Sequence, residues 1–215
     1  MSASPPSSAT AARLGPLRLG VLAALCLGAP PSAATAADHF DGPSEVDDPA
    51  IDLGGVFAWP TGDGDVAFAL TIAAGLPAGE PAPYDPTVLY AIHIDEDGDS
   101  LADTSLYIQF GESNDDGAIG VRVRGVPNEA PIIGPVEQVV EGSKGARVWS
   151  GLRDDPFFHD AEGWAETVAT QALALDSSRD TFAMTNALAV VVQFDAARLS
   201  SPTMRVWATA GRWPE

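Results

Sequence analysis

Aspartates recur at alternate positions in one short acidic segment. Asp95, Asp97 and Asp99 are each separated by one residue, and Asp103 follows four positions later. Counted from Asp95 these are positions one, three, five and nine, where a tight loop turns successive carboxylates onto one cation while a backbone carbonyl near position seven, here Leu101, adds a ligand. Calcium takes six to eight hard oxygens. The spacing therefore predicts a calcium site formed by Asp95, Asp97, Asp99, Leu101 and Asp103.

The segment departs from an EF-hand loop at two positions. Position six is Ser100, where such loops need Gly for a sharp turn, and position twelve is Leu106, where they carry a bidentate Glu. The alternative is a solvated hairpin loop that turns at Asp97-Gly98 and binds no ion. Clustered like charges destabilise a fold unless they are neutralised, which favours calcium. We expect a weak affinity, on the order of 10⁻⁴ to 10⁻³ M.

A second group of polar residues indicates a different function. His39 and Asp41 would face the same side of an extended strand, and together with Asp154 or Asp155 they could form the site of a metal-assisted hydrolase. The structural interpretation is that His39 anchors the first strand and that Arg153 pairs with Asp154 or Asp155 in a corner before a helix.

Catalytic motifs are missing from the sequence. It contains no G-x-S-x-G, H-E-x-x-H, G-x-x-x-x-G-K-[ST] or G-x-G-x-x-G pattern. His93 lies on an apolar strand and is expected to be a packed histidine with its hydrogen bonds satisfied. Hydrolysis is therefore the alternative, and a non-catalytic domain is the favoured hypothesis.

The elements that would carry these residues are mostly strands. Apolar residues alternate with period two in short runs bounded by Gly, Pro, Asp and Asn. The pattern predicts about eight strands in an all-β, sandwich-like domain of two packed sheets. One hairpin carries the long acidic loop. One helix, Asp160–Leu175, is expected to cover an end or edge, with Asp160 as its cap and Trp164, Val168, Ala172 and Leu175 on its apolar face. The other predicted strands cover 56–59, 66–72, 119–124, 147–151, 187–194 and 204–209.

The first 37 residues are typical of an export signal. Arg13 and Arg18 precede an apolar run, Leu19–Ala29, and small residues follow it up to Ala37. A run of about eleven apolar residues is too short to cross a bilayer, so no membrane span is expected in the mature chain. We expect residues 38–215 to be a single domain, secreted or periplasmic. The one cysteine, Cys26, would leave with the signal.

The charge of the chain argues against polyanionic partners. With 30 acidic and 11 basic residues the formal net charge is −19, which repels nucleic acid and anionic lipid. The partner is expected to be a protein or a carbohydrate.

Several segments, in order along the chain, resemble the bacterial secreted family labelled domain of unknown function 4331. The most specific is Arg153-Asp154-Asp155-Pro156-Phe157-Phe158, and Met184 stands where that family usually has Gly. The resemblance implies an exported, mostly β domain and brings no activity with it. The matching segments are 38–43, 48–52, 56–58, 89–95, 103, 152–158, 182–183, 186–187 and 206–209.

Overall fold

The computed structural model describes residues 48–212. These residues form ten β-strands and one α-helix. The predicted export signal, His39 and Asp41 lie outside them. The strands are β1 (Leu53–Pro60), β2 (Asp65–Pro77), β3 (Val88–Asp95), β4 (Thr104–Phe110), β5 (Gly120–Arg124), β6 (Ile132–Pro135), β7 (Val140–Glu141), β8 (Arg147–Asp154), β9 (Thr185–Asp195) and β10 (Arg205–Arg212).

The strands form two antiparallel sheets of five strands each. The first sheet has the order β1-β2-β9-β8-β7 and the second has the order β10-β3-β4-β5-β6. This confirms the all-β, two-sheet prediction. The two strands that the prediction lacks are β6 and β7. They are short, and Gly134 and Pro135 fall within β6, so neither gives a period-two signal.

The core lies between the two sheets. Apolar residues of β2 and β9 from the first sheet and of β3, β4 and β5 from the second belong to one buried cluster. Phe68 and Phe194, on neighbouring strands of the first sheet, stack with ring centroids 5.6 Å apart and are fully buried. One continuous core thus fixes both sheets, and with them the loops at their ends.

The helix α1 spans Ala161–Thr170 and is shorter than predicted. Asp160 is its N-cap, as expected, and accepts a hydrogen bond from the Gly163 amide at 2.9 Å. The helix ends because Gln171 adopts a left-handed conformation and the chain folds back, so that the Asp176 amide also donates to Asp160, at 2.7 Å. Within residues 48–212 no helix has the length and apolar character needed to cross a bilayer.

Candidate metal site in the β3–β4 loop

The acidic segment is the connection of a β-hairpin, as the sequence predicts. Strands β3 and β4 pair antiparallel up to Ile94 and Thr104. The Asp103 amide then donates to the Ile94 carbonyl at 2.9 Å and closes the base of the loop. The apolar alternation of the two strands fixes their register, because a shift of one residue would expose every core side chain. The register therefore determines where the loop begins.

Three of the predicted ligands converge. Asp95, Asp97 and Asp99 each offer one carboxylate oxygen, and the three oxygens lie within 4.8 Å of one another. Oxygens on opposite sides of one calcium ion are about 5 Å apart, since each bond measures about 2.3–2.6 Å. The spacing of the three oxygens is therefore compatible with a shared cation.

Short local hydrogen bonds give the loop its shape. Asp97 accepts from the Asp99 amide at 3.1 Å, and Asp99 accepts from the Leu101 amide at 2.8 Å. Gly98 has φ +86°, and Ser100 has φ +72°, the left-handed conformation that favours glycine. Position six thus makes the sharp turn of a calcium loop although its residue is not Gly. Asp97 and Asp99 thus each form an Asx turn with the residue two positions on.

Asp95 differs from the other two because it is buried, with 1% of its surface exposed. Its carboxylate accepts from the Gly98 amide at 2.6 Å and from the Ser100 amide at 2.9 Å. Burial by itself would raise the pKa of Asp95, but these amides and the positive charge of Arg205 outweigh it and lower the pKa. Asp95 is therefore a carboxylate at neutral pH.

Arg205 is the cation closest to this carboxylate that the described chain supplies. It opens β10, where it lies opposite Asp95 in the pairing with β3. Its Nη1 is 3.4 Å from Asp95 Oδ2 and donates to the Gly98 carbonyl at 2.6 Å and to Ser100 Oγ at 3.2 Å. The loop thus has an internal counter-ion on one side.

The fourth predicted carboxylate, Asp103, does not join the cluster. Asp103 Oδ2 accepts from the Glu96 amide at 2.7 Å, so it stabilises the base of the loop. Leu101, whose backbone carbonyl is the other predicted ligand, is 69% exposed, and its part in the site stays a prediction. The structure brings Asp95, Asp97 and Asp99 together and leaves the site with three carboxylates rather than four.

Glu96 has a role that the sequence did not indicate. Its carboxylate accepts from the Thr104 hydroxyl at 2.9 Å and from the Ser200 hydroxyl at 2.6 Å, and also from the Ser200 amide. Burial by itself would raise the pKa of Glu96, but these donors outweigh it and lower the pKa. Glu96 therefore ties the acidic loop to the segment that leads into β10. No short-range pattern reveals this, because Ser200 is far away in sequence.

The residues of the hydrolase hypothesis have structural partners where they are described. Asp155 accepts from the amides of Gly75 and Phe157, at 2.9 and 3.1 Å, and therefore holds the corner after β8. Arg153 does not form the predicted fork. It lies 3.5 Å above the ring of Trp149, and its guanidinium is 3.9 Å from Glu137.

His93 is a packed histidine, as predicted. Its ring nitrogens lie 2.9 Å from the hydroxyls of Ser105 and Thr209, and its ring stacks on Trp207. Burial lowers the pKa of His93 because it disfavours the charged form. His93 therefore stays neutral at physiological pH.

Comparisons with known proteins found no match for this chain. No family model matches the chain, and neither a curated protein nor a solved structure matches it. The resemblance to domain of unknown function 4331 stays a prediction.

Proposed function

We propose that this chain is an exported, non-catalytic β-sandwich domain with a binding role outside the cytoplasm, and that its β3–β4 loop binds calcium. The observation that carries the proposal is the convergence of the Asp95, Asp97 and Asp99 carboxylates within 4.8 Å. Backbone carbonyls and water would complete the shell of oxygens. The site of action, secreted or periplasmic, is proposed from the apolar run Leu19–Ala29 and the small residues after it.

Charge supports calcium as the occupant. The chain has a formal net charge of −19, and the loop brings three carboxylates together beside one counter-ion, Arg205, which is exposed and pairs with Asp95. Arg205 neutralises one of these charges at most. A divalent cation would neutralise the other two, and hard oxygen ligands favour calcium over transition metals.

Among residues 48–212, no observation favours the alternative function, a metal-assisted hydrolase. Asp155 is engaged by two backbone amides and holds the corner after β8, and His39 and Asp41 lie outside the described residues. We therefore do not propose it.

The test is calorimetric titration of the purified protein with calcium. We expect saturable binding of one ion, with a dissociation constant on the order of 10⁻⁴ to 10⁻³ M. Asp97→Asn with Asp99→Asn should abolish binding, because each substitution replaces a carboxylate ligand with a neutral amide. Both side chains are exposed, so the fold should survive.

Asp115→Asn with Asp116→Asn is the matched control. It changes the net charge by the same amount on another exposed connection, between β4 and β5, and should bind calcium like the parent. No heat of binding in the parent, or equal loss in both double variants, would contradict the proposal.

A further inference from the structure

The outer face of the first sheet is built from small side chains. Exposed faces of antiparallel sheets are usually polar. Here the outward positions of the two central strands β2 and β9 carry residues no larger than Thr over most of their length, and each of these is at most 8% exposed. These residues are Ala67, Ala69, Thr71, Ala187 and Ala189.

A trough crosses the sheet at one level of this face. Gly55, Thr71, Ala189 and Gly151 lie opposite one another on β1, β2, β9 and β8, in that order. Since neighbouring strands are about 4.8 Å apart, this row spans about 14 Å. In the next outward rows on its two sides, Phe57 and Trp149 are the larger side chains of one row and Arg153 is the larger side chain of the other. These two rows are about 13 Å apart, because side chains on one face repeat every two residues.

Two aromatic rings border the trough on the edge strand β1. A Cβ atom added to Gly55 would lie 3.2 Å from the ring of Phe57, so this ring leans over the glycine. Phe57 and Trp59 are 39% and 44% exposed. Both present part of a flat apolar ring to solvent on an edge strand.

The opposite border is polar. The Glu137 carboxylate lies over Gly151, 2.3 Å from where a Cβ would be, and accepts from the Leu152 amide at 3.0 Å. Beside it, the Arg153 guanidinium lies over the ring of Trp149, with Cζ 3.5 Å from the ring centroid. Asp154 follows and is exposed. The polar border thus offers both donors and acceptors.

The trough contains a cavity of about 300 Å³, lined by residues of both borders and of the alanine floor. This volume is at the lower end of the range for small-molecule sites, which combine apolar walls with a few polar groups. The site is therefore sized for a compact ligand or for a short stretch of a longer one.

We propose that this trough binds a neutral carbohydrate, with the apolar face of a sugar ring on Phe57 and Trp59 and its hydroxyls toward Arg153 and Asp154. A sugar ring has one apolar face and hydroxyls that both donate and accept, which matches the two borders. An entirely apolar ligand would take the exposed carboxylate of Asp154 out of water without giving it a hydrogen-bond donor.

The charge of the chain argues against two other occupants. The net charge of −19 repels anionic glycans and also a second copy of the chain. The inference names the ligand class of the binding role proposed above. It does not depend on calcium, because the cavity is lined by residues of the first sheet and of the corner after β8, and the acidic loop belongs to the second.

The experiment is a titration of the purified protein with three neutral probes, cellohexaose, maltohexaose and xylohexaose, followed by calorimetry and tryptophan fluorescence. It is run once with calcium and once with a chelator. We expect saturable binding of at least one probe in both conditions. Trp59→Ala and Phe57→Ala should each weaken binding about tenfold or more, which corresponds to about 1.4 kcal/mol or more and is typical of the truncation of an aromatic anchor.

Trp164→Ala is the control. This tryptophan is 51% exposed on α1 and is absent from the cavity, so its variant should bind like the parent. The inference is overturned if no probe binds, if the Trp59 and Phe57 variants bind like the parent, or if the protein is a dimer that Phe57→Ala dissociates. Binding of sugar without binding of calcium would overturn only the calcium proposal, and the reverse result only this one.

Discussion

Arg205 and a calcium ion would share the Asp95 carboxylate. The guanidinium also contacts the Gly98 carbonyl, an oxygen of the same loop. Asp95 is buried and ionised, so it needs a counter-charge whether or not an ion is bound. Arg205 was not predicted from the sequence, because it is 110 residues from Asp95 and only strand pairing brings them together.

We predict that Arg205→Gln binds calcium more tightly, by about tenfold, because a competing positive charge is removed from beside the site. Without calcium this variant should melt at a lower temperature than the parent. Arg212→Gln is the control: it removes the same charge from the other end of β10, where the partners are Asp85 and Asp48. Unchanged affinity in Arg205→Gln, measured by calorimetry, would show that the two cations do not compete.

Asp160 contributes a stabilisation of the fold that depends on pH. Burial by itself would raise its pKa, but the amides of Gly163 and Asp176 and the Arg179 guanidinium, 2.9 Å away, outweigh it and lower the pKa below its unfolded value. The unfolded chain therefore binds a proton more readily than the folded chain. Stability from Asp160 is complete above about pH 5 and is lost as the pH falls through the folded-state pKa.

We predict that Asp160→Asn is less stable than the parent at pH 7 and loses less stability between about pH 5 and pH 2. Because Asn can still cap the helix, the difference in free energy of unfolding between the parent and Asp160→Asn reports the effect of the negative charge. Urea unfolding at a series of pH values measures this free energy. Asp63→Asn, in the exposed turn after β1, is the control because it removes the same charge from an exposed position. Parallel pH profiles for the parent and Asp160→Asn would contradict the prediction.

Met184 has a left-handed backbone conformation, which favours Gly over a residue with a side chain. It has φ +69° and is 82% exposed, and the resemblance leads one to expect Gly at this position. We predict that Met184→Gly stabilises the protein by up to about 1 kcal/mol, because the left-handed conformation costs about 1–2 kcal/mol for other residues and Gly loses about 0.5–1 kcal/mol in chain entropy. Chemical unfolding measures the change, with Met204→Gly as a substitution that should destabilise. A less stable Met184→Gly would refute it.

At the level of elements, alternation was a reliable guide and helical periodicity was a weaker one. All eight predicted strand regions lie in strands of the structure, apart from Ile119 and Met204, which directly precede β5 and β10. The agreement arises because burying one face imposes a period of two. The helix prediction placed Trp164, Val168 and Leu175 on an apolar face, yet they are 51%, 62% and 51% exposed. The spacing of apolar residues in a helix does not indicate which element the helix packs against, because the residues of that element are distant in sequence.

We predict that Trp164→Gln changes the free energy of unfolding by less than about 0.5 kcal/mol, as is usual for exposed positions. Phe182→Ala, just before β9, is the contrast. Phe182 is 3% exposed and packs edge-on against Phe157, so its loss should cost about 3–5 kcal/mol. Equal effects of the two substitutions would mean that α1 is buried in solution.

At the scale of the whole molecule, the candidate calcium site belongs to a domain with a large negative net charge. The net charge of −19 opposes compaction, and one core between two sheets has to overcome it. The sequence indicated this acidity and the clustered loop, and three of the four predicted carboxylates do meet. It could not indicate that Asp103 bonds the Glu96 amide instead, because that choice follows from the closure of the hairpin.

Scanning calorimetry of the purified protein, at constant ionic strength, tests the calcium site most directly. With calcium at about 100 times its dissociation constant, binding to the folded state should add about 2.7 kcal/mol, which raises the melting temperature by roughly 5–10 °C for a domain of this size. A chelator should remove the gain, and Asp97→Asn with Asp99→Asn should not show it. An identical melting temperature with calcium and with chelator would contradict the account.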